Sequence, residues 1–172
     1  LNEGANLAAL LPALCAVLNE LGASFEVIIV TQQSDEMTKQ VARQVGAQLC
    51  EQAEPGYGGA LRTGFQRASG KYVLTMDADL SHPPEFVRDM WAARDTAELT
   101  IASRYVHGGT AEMPAVRYVL SRVLNSFFRR GLSVKVHDLS SGFRLYRRDA
   151  IQHVRLSARD FDVLQQILIH AY

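Results

Sequence analysis

Cysteine is scarce in this chain. Two residues in 172, Cys15 and Cys50, make no disulfide framework and read as buried, reduced thiols. Long apolar runs are missing too: no stretch approaches the ~18 residues of a membrane-spanning helix. Internal repeats and low-complexity linkers are absent, which excludes solenoids and tethered domain pairs. No nucleic-acid-binding motif is present. Net charge of either sign is also lacking, since 18 basic residues balance 18 acidic ones. That balance hides a division. Residues 1–100 carry 7 basic and 13 acidic side chains and residues 101–172 carry 11 and 5, so the two segments stand at −6 and +6. A cationic second segment points to an anionic partner.

What is present describes one globular domain. An apolar share of 48% and a charged share of 21% are ordinary for a soluble protein of this length. Leu7, Leu10, Leu11, Leu14, Leu18 and Leu21 recur at helical spacing, with Asn6 as N-cap and Gly22 as stop; Pro12 predicts a kink or an irregular opening. Phe25–Val30 is the nearly continuous apolar run, broken only by Glu26, of a buried parallel strand. A helix over 36–46 and a short strand over 47–50 follow. Next come a helix over 59–68, a strand over 72–76, a helix from Pro83 to about Arg94 and a strand over 99–103. A long helix is expected over 115–130, a loop over 138–144 leading into a short strand, and helices over 149–154 and 160–172. This alternation predicts a mostly parallel, doubly wound α/β sheet.

Two neighbouring stretches organise the chain. Glu54-Pro55-Gly56-Tyr57-Gly58-Gly59 is a glycine-rich turn opening a helix, and the strand after that helix runs into Asp77-Ala78-Asp79. Ligands of open α/β sheets bind at the carboxyl ends of strands. Side chains two apart on a strand share a face, so Asp77 and Asp79 are expected to point the same way. Paired carboxylates there suit a hard divalent cation such as Mg²⁺ or Mn²⁺. By spacing alone they suit a solvated turn better, and the glycine turn just upstream brings the two readings level. His82 reads as a loop histidine.

The run from Pro55 to Glu85, ending Asp-Ala-Asp-Leu-Ser-His-Pro-Pro-Glu, resembles the family 2 glycosyltransferases, most of all their polyprenol-phosphate (dolichol-phosphate) mannosyltransferase branch. Ala102-Ser103-Arg104-Tyr105-Val106, Gly108-Gly109, Arg117 to Arg122 and Asp138-Leu139-Ser140-Ser141-Gly142-Phe143-Arg144 match that branch in order and spacing. The match extends from Asn2 to about Ile151. The resemblance implies the GT-A fold (nucleotide-diphospho-sugar transferase, Rossmann-like), a mostly parallel sheet flanked by helices. It also implies a first strand before Asn2, so residues 1–172 are expected to be a single GT-A domain truncated at both termini.

The implied reaction is attack by a polyprenyl phosphate on the anomeric carbon of a nucleotide sugar of the GDP-mannose or UDP-glucose type, with inversion. The resemblance assigns catalysis to Asp79, Arg104, Arg117 and Asp138, with Asp77 and Asp79 holding the metal. Asn2, Glu3, Gln32, Gln33, Gly58, Arg62, Asp77, Ser121 and Ser141 complete the substrate-binding set. A phosphate monoester, with a second pKa near ~6, is already ionised at neutral pH and needs no strong base. Arg104 and Arg117 suit such a group, because guanidinium grips phosphate bidentately. Arg117, Ser121 and Asn125 are four apart and line one helical stripe. The expected location is peripheral, at the cytoplasmic face of a membrane, with Phe127-Phe128 touching the interface. Two positions depart from the family pattern. Gln32 and Gln33 stand in the region of paired aspartates that read the nucleotide base, and Ser81 stands where the branch often has glutamine. A non-catalytic nucleotide-sugar-binding module, a family 2 enzyme acting on a sugar hydroxyl, and a nucleotidyltransferase of similar architecture remain alternatives.

Overall fold

The computed structural model describes residues 4–102, 141–154 and 156–170. Helix α1 (Gly4–Glu20) buries Leu7, Leu10, Leu11, Leu14 and Val17 on one stripe. It runs through Pro12. Both Pro12 and Ala8, whose carbonyl loses its helical donor there, are exposed, so water can satisfy the gap. Asn6, expected as the cap, sits within the helix. Strand β1 (Ile28–Thr31) starts later than its apolar run, and helix α2 (Glu36–Val45) returns the chain to strand β2 (Gln48–Glu51). Asp35 caps α2 by accepting from the Thr38 N–H at 2.7 Å, and Gly46 ends it at a φ of 68°. β1 and β2 pair in parallel from Ile28↔Gln48 to Thr31↔Glu51.

Helix α3 (Gly56–Arg67) begins three residues earlier than its pattern predicts, directly after Pro55. Strand β3 (Tyr72–Thr75) leads to the carboxylate turn, and helix α4 (Phe86–Ala92) follows. Pro83 to Glu85 form a tight turn before α4, with the Val87 N–H donating to the Pro84 carbonyl at 3.0 Å. Strand β4 (Leu99–Ile101) precedes residues 103–140, and strand β5 (Arg144–Arg147) runs into helix α5 (Arg148–Ile151). Helix α6 (Asp162–His170) closes the described chain. The long helix expected over 115–130 lies outside the described residues.

Among the described residues the strands form two groups, β1-β2 and β3-β5-β4. β5 is antiparallel to both of its neighbours, pairing Thr75↔Arg144 and Ile101↔Arg144. One apolar cluster joins α1, α2, β1 and α4 to Phe143 and Leu145. A second joins Leu61 and Tyr146 to Val163, Leu164 and Ile167 of α6. The register sets the functional edge: the carboxyl ends of β3 and β4 meet the segment Ser141-Gly142-Phe143 that enters β5.

Candidate active site

Strand pairing ends at Thr75, so residues 77–79 form a turn beyond the ladder and the two carboxylates sit in different settings. Asp77 is half-buried, and its carboxylate lies beside the Tyr57 hydroxyl against Gly142. Gly142 is fully packed against both groups. A Cβ there would lie 2.4 Å from the Tyr57 Oη and 2.7 Å from the Asp77 Oδ2. Burial pushes the Tyr57 hydroxyl well above the ordinary phenol range, and the charge of Asp77 adds to this, so the hydroxyl keeps its proton at neutral pH. Asp79 is exposed, and its Oδ1 accepts from the Ser81 N–H at 2.9 Å. Partial burial pushes the Asp79 carboxyl up, but hydrogen bonding to Ser81 and the nearby His82 ring outweigh it, and the group lies below its ordinary value. Between the turn residues, Leu80 holds a left-handed φ of 61°, a sparsely populated conformation for a branched side chain.

His82 is not a free loop residue. It is 6% exposed, with Nδ1 2.9 Å from the Ser81 Oγ, Nε2 3.5 Å from the Ser141 Oγ and its ring edge-on to Phe143. It links the carboxylate turn to the segment entering β5. Ser141 is itself buried, and the fully buried Arg144 donates to the Ser141 carbonyl at 2.7 Å and to the Leu164 carbonyl at 2.9 Å. Ala102 donates to the Phe143 carbonyl at 3.0 Å, so the chain leaves β4 at this same edge.

Gly58 and Arg62, both expected at the substrate, are engaged elsewhere. The Gly58 N–H donates to the Arg159 carbonyl at 2.7 Å, and a Cβ on Gly58 would lie 2.1 Å from the Ala158 oxygen. Arg62 donates to the carbonyls of Ala158 (2.8 Å) and Leu156 (3.3 Å) and pairs with Glu54. The glycines at this helix start therefore admit another stretch of backbone. Gln32 and Gln33 are exposed just past the end of β1, beside the end of β2. Asn2, Glu3, Arg104, Arg117, Ser121 and Asp138 lie outside the described residues. Tyr57 was not singled out by sequence reasoning. The available signal was an aromatic residue between two glycines, Gly56-Tyr57-Gly58.

The donor set is a partial fit to a hard divalent cation. No group of three or more His, Cys, Asp or Glu side chains that could hold a metal occurs among the described residues. Two carboxylates at the turn match a Mg²⁺ or Mn²⁺ ion whose remaining ligands are substrate phosphate oxygens and water.

The family model for glycosyl transferase family 2 matches residues 1–155. A dolichol-phosphate mannosyltransferase of Pyrococcus furiosus is 32% identical over 178 aligned residues, spanning 98% of this chain and 50% of that protein. A polyprenol monophosphomannose synthase of Mycolicibacterium smegmatis is 41% identical over 113 residues, spanning 63% of this chain and 43% of the relative. The chain thus spans about half the length of these curated relatives. Glucosyl-3-phosphoglycerate synthase from Mycobacterium tuberculosis, solved with Mn²⁺ and uridine-diphosphate-glucose, superposes with a TM-score of 0.73 at 21% identity, over 99% of this chain and 64% of its own. That likeness shows the GT-A fold. With a family model covering most of its length, this chain belongs to glycosyl transferase family 2.

Proposed function

We propose that the chain is the catalytic domain of an inverting glycosyltransferase that moves a hexosyl group, mannose or glucose, from a nucleotide-diphosphate sugar to a polyprenyl monophosphate. The observation that carries the reading is the meeting of the Asp77–Asp79 turn with Ser141–Gly142 at the carboxyl edge of β3 and β4. The names of the two curated relatives support a polyprenol- or dolichol-phosphate acceptor.

Asp77 and Asp79 are the residues to hold Mg²⁺ or Mn²⁺, which when bound supplies Lewis-acid stabilisation of the charge gathering on the leaving diphosphate. The chain's own residues do the rest. Gln32 and Gln33 lie toward the base, with Asn2 and Glu3 completing the donor side. Arg104 and Arg117 clamp the acceptor phosphate, Ser121 adds a hydroxyl, and Asp138 and Ser141 order the acceptor loop. A phosphate oxygen forms a bond to the anomeric carbon as the bond from that carbon to the diphosphate oxygen breaks. No proton need be removed from the ionised acceptor, so positioning supplies most of the catalysis. The cationic residues 101–172 face an anionic membrane surface on its cytoplasmic side. No helix among the described residues is long and apolar enough to cross a membrane.

The test is product analysis with the full-length protein, Mn²⁺, a polyprenyl phosphate, and GDP-mannose or UDP-glucose. Lipid-linked sugar is expected. Arg117→Ala is expected to raise the KM for lipid phosphate roughly 10–100-fold with donor affinity unchanged, the worth of a charge-assisted contact. Transfer to a soluble sugar hydroxyl with the lipid ignored would overturn the acceptor assignment. Nucleotide-sugar binding without any transfer would favour a non-catalytic module, the reading that Gln32 and Gln33 motivate.

A further inference from the structure

We infer that Tyr57 is a positioning residue for the donor-side carboxylate Asp77, and that Phe161, far along the chain, holds Tyr57 in place; this rests on the transferase reading above. Tyr57 is the second residue of α3, and its hydroxyl and the Asp77 carboxylate converge on the same point beside Gly142. A neutral hydroxyl packed beside the Asp77 Oδ2 limits the ways in which that carboxylate can turn. Gly142 makes the contact sterically permissible, since any side chain there would occupy the space where the hydroxyl and carboxylate meet.

The Tyr57 ring is stacked on Phe161, with centroids 4.4 Å apart and planes within 17°. Phe161 is 56% exposed, so its stack on Tyr57 is a contact at the surface and not a core element. Its backbone is nevertheless well fixed. Arg159 and Ala158, just before it, accept from the Gly58 N–H and from Arg62. The N–H groups of Ser157 and Ala158 both donate to the Gln166 side chain, and the Asp160 N–H donates to Asp162 at 3.1 Å. The clasp of residues 156–161 on the start of α3 thus ends in an aromatic ring laid against Tyr57. It lies beyond the residues 1–155 that the family model matches. Groups that orient a metal-side carboxylate commonly govern affinity by 10–100-fold without touching the ligand themselves.

The experiment is calorimetric titration of the full-length protein with Mn²⁺–GDP and Mn²⁺–UDP, alongside donor and lipid KM values. Tyr57→Phe keeps the ring and its stack and removes only the hydroxyl. It is expected to weaken binding of the better nucleotide about 10-fold or more and to raise the donor KM, with the lipid KM unchanged. Phe161→Ala is expected to weaken it several-fold, and Phe161→Tyr to restore it. Ile169→Ala, an exposed change on the adjoining helix α6, is expected to do nothing. A merely structural role would lower the melting temperature and leave the donor KM alone. Wild-type affinity in Tyr57→Phe would overturn the inference while leaving the transferase reading intact. Failure of the wild-type protein to bind either Mn²⁺–nucleotide would overturn the reading itself, and the inference with it.

Discussion

At Gly142 a methyl group has no room beside the Tyr57 hydroxyl and the Asp77 carboxylate. The added carbon of Gly142→Ala would sit 2.4 Å from the Tyr57 hydroxyl and 2.7 Å from the Asp77 Oδ2, so one or both side chains must shift. The expected cost is about 1–3 kcal/mol of stability, as for other overpacked sites, together with weakened Mn²⁺–nucleotide binding; denaturant melts and calorimetry measure the two separately. Gln32 and Gln33 pose a different question, since an amide both donates and accepts. Gln32→Asp or Gln33→Asp is expected to widen the ratio of GDP to UDP affinity, and an unchanged ratio in both variants would place base recognition elsewhere. The carboxylates were legible because their spacing and position after a strand carry meaning within a few residues. Tyr57 was not, because its partners Asp77, Gly142 and Phe161 come from three separate segments. The contacts of Arg62 were not legible for the same reason: the carbonyls it serves belong to residues 156 and 158.

At the scale of elements, order and type followed the hydrophobic pattern, while boundaries moved where a side chain found a better task. Phe25–Val30 looks like a strand throughout, yet β1 starts at Ile28. Glu26 instead accepts from the Ser69 N–H and Oγ, both at 2.7 Å, and from the Gly70 N–H at 3.3 Å, tying the approach to β1 to the turn between α3 and β3. The Ser69 hydroxyl first, and then the Ser69 N–H, hold the Glu26 carboxyl below its ordinary value of 4.5. A depressed carboxyl stabilises the fold above its unfolded value, and that stability is lost as pH falls through the folded value. Glu26→Gln is therefore expected to cost about 1 kcal/mol at pH 7, discounted for exposure, and little at a pH below the folded value. Urea melts at the two pH values check this.

For the whole molecule, the described chain extends beyond the family match at residue 155. Val163, Leu164, Ile167 and Leu168 of α6 are at most 2% exposed. Burial of each such side chain contributes roughly 1.5–3 kcal/mol, and a domain's total stability is only about 5–15 kcal/mol. Removing residues 156–172 would also leave the buried Arg144 without its Leu164 carbonyl. The truncated protein is expected to lose its cooperative thermal transition, which circular dichroism detects; a retained transition within a few degrees would show α6 to be dispensable. The division of the strands into β1-β2 and β3-β5-β4 was not legible, because periodicity reports which residues are buried and not which strand lies beside which.

The placement of β5 also fixes an order of events during synthesis. β1, α2 and β2 are consecutive and can pair as soon as they leave the ribosome. β3, which carries the carboxylate turn, pairs among the described residues with residues 144–147 alone, and so does β4. A nascent chain that has reached residue 102 therefore has its donor carboxylates but not the strand that joins β3 to β4. Contacts this distant along the chain form slowly. For that interval the edges of β3 and β4 that β5 covers are open to pairing with other chains, and the arrival of residues 144–147 covers them.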